Sequence, residues 1–252
     1  MYKKQIFLLL VLGFANLNVN AEFLERIIDK NKERFSEVAL DIWEFAEMGY
    51  LETKSSELLA SELQKEGFKI TKNVANIPTA FIAEYGSGGP IIGILGEFDA
   101  LPGLAQSNSP FKEEVNNETG AGHACGHHLF GAASAWAAVT IKEWLENNNV
   151  AGTVRFYGTP AEEGGSGKVY MVREGLFNDV DIVLHWHPDD TNSANSRSSN
   201  SNKSARFTFK GISSHAAGAP EQGRSALDGV ESMNMMLIFF ENISHKSQEF
   251  IM

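Results

Sequence analysis

Six of the seven histidines fall between residues 123 and 215, in segments that contain glycine or proline. The first, Gly122-His-Ala-Cys-Gly-His-His128, holds the single cysteine. Cys125 and His127 are two apart, and in a non-helical stretch alternate side chains can point the same way. A thiolate and an imidazole suit zinc and related divalent ions. The same residues also read as a small buried Cys beside helix-capping histidines. In Gly158-Thr-Pro-Ala-Glu-Glu-Gly-Gly165, an irregular turn can aim Glu162 and Glu163 at one point, one as ligand and one as base. A solvated helix start is the competing reading, because Glu favours a first turn. In Leu184-His-Trp-His-Pro188, His185 and His187 alternate and share a face, and either is a candidate ligand. Trp186, opposite them, reads as core. His215 lies in a loop of small residues, Gly211 to Pro220, open to close approach by a ligand. Glu97 and Asp99 follow an apolar run, and Asp99 is placed to orient a ligating His. Cys, His, Glu and Asp delivered together by several segments point to a metal site.

These segments need elements to carry them. Apolar spacing predicts a helix over Glu22 to Met48 and another over Thr53 to Glu66, with Thr53 as its cap and Gly67 closing it. Strands are expected at Phe68–Thr71, Thr79–Tyr85 and Ile91–Leu95, the last two joined as a hairpin by Gly86–Pro90. A long loop over 97–127 is of the kind that carries function. An Ala-rich helix over Leu129–Leu145, a strand over Thr153–Tyr157, a helix over Lys168–Glu174 and a strand over Ile182–His185 follow. Alternating helix and strand predicts an α/β fold, a largely parallel sheet flanked by helices. Ligands of such sheets sit beyond the carboxyl ends of the strands, where the candidate residues fall. The Ser/Asn-rich stretch 191–204 reads as a hinge. Beyond it a strand over Ala205–Lys210 and a helix over Ser225–Phe240 open a smaller domain.

Residues 1–21 pair Lys3 and Lys4 with an apolar run from Ile6 to Ala15, the pattern of a signal peptide. Its removal takes the net charge from −11 to 19 − 32 = −13. The expected location is therefore exported, periplasmic or secreted, with no membrane contact after cleavage. The acidic balance argues against nucleic acid as a partner. One cysteine excludes an internal disulfide framework. The expected domains are 1–21 leader, 22–190 catalytic, 191–204 linker and 205–252 partial second domain.

The segments GEFDALPGL, GAGHACGHHLFGAA, GTPAEEGGSGK and SSHAAGAPEQGRSALD, in this order, resemble the metal-dependent amidohydrolases and carboxypeptidases that include aminoacylase, hippurate hydrolase and the plant auxin-conjugate hydrolases. The resemblance runs from about Phe23 to Ile238. It implies a zinc-exopeptidase-like catalytic domain interrupted by a smaller α/β lid that mediates dimerisation. It implies two divalent ions, Zn²⁺ or Mn²⁺, with Cys125, His127, Glu163 and His187 as ligands and Cys125 as a bridge. Glu162 would be the general base. His215 would polarise the scissile carbonyl across a dimer, and Asp99, His123 and His185 would stand behind the ligands. The implied substrate is an N-acyl or aroyl amino acid of the p-aminobenzoyl-glutamate kind. The implied partner is a second copy through the lid, with an A-type subunit as a further candidate.

Two functional classes follow. One is an exported amidohydrolase, which needs an activated water, a polarised carbonyl and a proton donor for the leaving nitrogen. The other is a C-terminally truncated, catalytically incomplete metal-binding chain, expected because only 37 residues (252 − 215) follow His215. A hinged binding protein is a third reading, but it has no use for the Glu162/Glu163 and Cys125/His127 pairs.

Overall fold

The computed structural model describes residues 21–113, 115, 117–194 and 204–243. The expected leader, apart from Ala21, and most of the expected linker lie outside the described residues. Contacts divide the chain into two units, Met1–Asn192 and Ser193–Met252. No helix among the described residues is long and apolar enough to cross a membrane.

The first unit opens with helix α1 (Ala21–Phe45), which buries Ile27, Phe35, Val38 and Ile42 on one stripe. Helix α2 (Thr53–Lys65) follows, with Gly67 beyond its end at φ 85°. The expected Thr53 cap does not form. Instead the Glu47 carboxylate, from the preceding loop, accepts the N–H groups of Lys54 (3.0 Å) and Ser55 (2.9 Å). A charged acceptor reaching back over the first turn satisfies orphan donors that a Thr at the first helical position cannot.

The sheet strands are β1 (Lys69–Lys72), β2 (Phe81–Ser87), β3 (Ile91–Gly96), β6 (Gly152–Gly158) and β7 (Ile182–Leu184). Their order is β1-β2-β6-β3-β7. The sheet is mixed. The β1–β2 and β2–β6 pairs are antiparallel, and β6–β3 and β3–β7 are parallel. The expected β2–β3 hairpin is not made, because β6 lies between those two strands. Close approach explains the fit: a Cβ on Gly86 would meet the Gly152 carbonyl oxygen at 2.2 Å, so only glycine lets β6 in. Short strands β4 (Leu101–Pro102) and β5 (Ala121–Gly122) pair within the long 97–127 segment.

Helix α3 (His127–Asn148) packs against α1, and a single turn α4 (Glu162–Gly165) leads to α5 (Gly167–Arg173). Alternation along β3 and β6 sends Ile94, Val154 and Phe156 to one face, with Phe35, Ile42, Leu59, Leu63 and Ala135. Leu95 and Tyr157 go to the other face, with Phe130 and Met171. Helices therefore cover both faces of the central strands, and the strand ends stay open for a site.

The second unit holds helix α6 (Ala226–Ile243) and a 3₁₀ turn at Pro220–Gln222. The expected strand over 205–210 does not form. Among the described residues the unit's only β pairing is the bridge of Ile212 with Arg224, and an unpaired segment has no ladder to join. Helix α6 leaves Met235, Met236 and Phe239 exposed.

Candidate metal centre

Four chain segments deliver the side chains. Strand β3 ends at Gly96, and the next turn buries Glu97 and Asp99. Helix α3 begins against that turn. A Cβ on Gly131 would meet the Glu97 carbonyl oxygen at 2.7 Å, so a glycine there lets helix and turn touch. His127 is the first residue of α3, and Gly126 before it is left-handed at φ 79°, ψ 18°. This glycine bend, rather than alternation along an extended stretch, brings Cys125 and His127 to one place. Strand β6 ends at Gly158 and delivers Glu162 and Glu163 on α4. Beyond β7 come His185 and His187.

The side chains converge on His127, which is fully buried. Its Nδ1 lies 2.9 Å from Asp99 Oδ1. Asp99 Oδ2 accepts the Glu163 N–H at 2.9 Å. One carboxylate thus orients two candidate ligands. On the other ring edge, His127 Nε2 lies 2.9 Å from Glu97 Oε2 and 4.0 Å from both Glu162 Oε2 and Glu163 Oε1. Glu97 Oε2, His127 Nε2 and Glu163 Oε1 are all buried, and none completes a hydrogen bond of good geometry. Cys125 Sγ is 3.3 Å from His187 Nε2, and the His187 ring is 5.6 Å from that of His127. Two groups of ligand atoms emerge: Cys125, His127 and His187, and Glu97, His127 and Glu162. Thiol, imidazole and carboxylate atoms gathered this closely, mostly out of solvent and of the types that bind divalent ions, fit a metal.

The electrostatics agree. Burial alone would lower the His127 pKa, but the Asp99 and Glu97 carboxylates on either side push it up to about 10. Burial would raise Glu97, yet His127, His185 and the paired Lys168 hold it well below the usual carboxylate range. Burial, then Glu163, pushes the Cys125 thiol up to about 11. Without a cation the thiol stays protonated, and a bound metal is what would deprotonate it.

The remaining expected residues are placed as follows. His185 packs edge-on to Phe130 (4.9 Å) and its Nε2 lies 3.7 Å from Glu97 Oε1. His123 is buried, with Nε2 3.0 Å from the Ile42 carbonyl and its ring 5.1 Å from His128, and belongs to neither ligand group. Burial and His128 lower its pKa to about 4. Trp186 is not core. It is 40% exposed and its indole donates to Ser134 Oγ at 3.0 Å. In the second unit, His215 Nδ1 accepts the N–H groups of Ala217 (3.2 Å) and Gly218 (2.9 Å). A ring nitrogen that accepts twice carries no proton, so the proton sits on Nε2. Glu97 is not among the ligands expected from sequence. Its spacing of two from Asp99 is the available signal, since such residues share a face.

A family model described as peptidase family M20/M25/M40 matches residues 93–218. The chain is 45% identical over 227 residues to the B component of the p-aminobenzoyl-glutamate hydrolase of Escherichia coli, covering 90% of this chain and 47% of that one. It is 30% identical over 229 residues to human Xaa-Arg dipeptidase, covering 84% and 48%. The chain spans about half the length of the curated relatives it matches. Among solved structures it is similar to a dinuclear metal-binding M20 peptidase of Bacillus subtilis (TM-score 0.51, 30% identity, 68% of this chain and 45% of that chain). An aminobenzoyl-glutamate utilization protein of Klebsiella pneumoniae shares the fold (TM-score 0.57, 16% identity, 90% and 62%).

Proposed function

Because the chain belongs to peptidase family M20/M25/M40, we infer that it carries the metal centre of a hydrolase that cleaves the amide bond of an N-acyl or aroyl amino acid. The p-aminobenzoyl-glutamate class is the favoured substrate, supported by the 45% identity to a protein named for that hydrolysis. The observation that carries the reading is the crowding of buried Glu97 Oε2, His127 Nε2 and Glu163 Oε1, none in a hydrogen bond of good geometry, beside the Cys125–His187 contact.

Cys125, His127, Glu163 and His187 are the proposed ligands of two divalent ions, Zn²⁺ or Mn²⁺. A bound ion would polarise the amide carbonyl and lower the pKa of a water from about 16 towards 7. Asp99 fixes the His127 ring through Nδ1 and leaves Nε2 facing the other ligand atoms. It fixes Glu163 through the backbone. Glu162 rather than Glu163 falls in a group of ligand atoms, but its side chain is 45% exposed against 18% for Glu163, and that difference supports Glu162 as the base that meets water and Glu163 as the ligand. Glu162 takes the water's proton on a carboxylate oxygen and returns it to the leaving nitrogen, a role worth roughly 10²–10⁴-fold. His215 of a second copy of the chain, with its proton on Nε2, is the proposed donor to the carbonyl oxygen as negative charge develops there. We further propose export through residues 1–21 and pairing with a second copy or an A-type subunit.

The test is release of p-aminobenzoate by the purified chain with Mn²⁺ or Zn²⁺, with metal bound per chain measured in parallel. Turnover abolished by Glu162→Ala supports the reading. Metal bound in stoichiometric amount without turnover would leave a metal-binding chain only. No metal bound, in the chain or in Cys125→Ser and His127→Ala variants alike, sinks the proposal.

A further inference from the structure

The loop between α1 and α2, residues 46–52, has no part in the reaction as described above, yet it grips the turn that carries Glu162 and Glu163 from both ends. At the entry, Glu52 Oε1 accepts the Ala161 N–H at 2.8 Å. Its other oxygen accepts the Thr79 hydroxyl at 3.0 Å. Glu52 is fully buried, and both hydrogen bonds come from uncharged groups. A carboxyl is costly to bury unless it is hydrogen-bonded, so these two bonds fix the Glu52 side chain in place. At the exit, the Tyr50 hydroxyl donates to the Gly165 carbonyl at 2.5 Å. Between them, a Cβ on Gly49 would meet Ala161 Cα at 3.0 Å, and a Cβ on Gly165 would meet the Tyr50 ring at 2.5 Å.

The gripped residue is in a conformation it would not choose. Ala161 has φ 58°, ψ 47°, the left-handed region, which a Cβ disfavours. Such a conformation persists only where the surroundings over-determine it. Here it aims the next two side chains, Glu162 and Glu163, back towards His127. We propose that Glu52 and Tyr50 are positioning residues: they hold the left-handed Ala161 turn and so set where the two carboxylates present themselves to the metal. The proposal rests on the metal reading of this site, and it concerns the geometry of the ligands rather than their identity.

Cobalt(II) titration of the full 252-residue chain tests it, because the visible Co²⁺ spectrum reports ligand geometry without turnover. Glu52→Ala, shown folded by circular dichroism and a urea transition, should bind Co²⁺ about tenfold more weakly or worse, in the range set by lost support behind a ligand, and with an altered spectrum. Glu52→Gln should restore the wild-type spectrum, since its amide oxygen accepts from Ala161 and its amino group donates to Thr79. Tyr50→Phe removes the exit contact alone and should shift the spectrum with little change in the urea midpoint. An unchanged spectrum and affinity in folded Glu52→Ala overturns the proposal. If that variant does not fold, an unchanged Tyr50→Phe overturns it. Wild-type chain that binds no Co²⁺ overturns the metal reading itself, which separates the two failures.

Discussion

Replacing Glu52 by Gln should make the folded chain more stable at neutral pH, and the size of the gain is set by burial. The Glu52 carboxyl is pushed up from 4.5 to about 7, mainly by burial, against hydrogen bonds that lower it, and Asp99 raises it further. Between those two values the folded protein holds a proton that the unfolded chain has released. Stability must therefore fall as pH rises through this window. A difference of about 2.5 units at about 1.36 kcal/mol per unit amounts to about 3 kcal/mol. Gln keeps the shape and the bond from Ala161, donates to the Thr79 hydroxyl instead of accepting from it, and has no charge to bury. The stability difference between Glu52→Gln and wild type should thus grow by about 3 kcal/mol from about pH 4.5 to about pH 8. Urea unfolding of the two metal-free proteins across that range measures it, and groups common to both cancel in the difference. A difference that stays flat with pH would show that Glu52 is ionised without penalty, and the burial argument would be wrong.

Further expectations concern the parts that aim the ligands. Asp99→Asn leaves one oxygen to serve two donors, the His127 ring and the Glu163 N–H, so metal affinity should fall about 10- to 100-fold in a Zn²⁺ competition titration; wild-type affinity would rule out this orienting role. Gly131→Ala drives a methyl to 2.7 Å from the Glu97 carbonyl oxygen and should cost about 1–3 kcal/mol in urea unfolding; an unchanged midpoint would mean that α3 and the Glu97 turn need not touch. Arg34 pairs with Glu62 and Glu66 at 2.5 Å each, and both carboxyls are held below their ordinary pKa despite burial. Their contribution is present above the unfolded value near 4.5 and is lost as pH falls through the lower folded value. The stability advantage of wild type over Arg34→Ala should accordingly shrink in acid, and an advantage independent of pH would count against these pairs.

What can be read from the sequence follows the range over which each feature is determined. The helices are legible because their apolar spacing is local, and Phe35, Val38 and Ile42 do face the core. The segments around Cys125, Glu162 and His187 are legible because unusual residue types sit beside glycines and prolines at strand ends. The order of strands is not, since nothing between Phe81 and Gly96 says that a strand much later in the chain will separate β2 from β3. Glu47 and Glu52 are invisible for another reason. In the string EMGYLE they look like solvated charges, and only the fold shows that one caps α2 and the other holds Ala161. The strand expected over 205–210 fails on a similar point, because alternation describes a face and says nothing about whether a neighbour exists to pair with it.

The late arrival of β6 also has a consequence in time. Its two neighbours in the sheet, β2 and β3, end by Gly96, but β6 ends at Gly158, 62 residues later (158 − 96). At about 5–20 residues per second, ribosomal synthesis needs about 3–12 s to cover that distance. During that interval Phe81, Ala83 and Ile94 have no central strand to lie against, and the edges of β2 and β3 stand open. A nascent chain of this kind is the sort that chaperones hold, and slowing translation between the codons for residues 96 and 158 should lengthen its dependence on them.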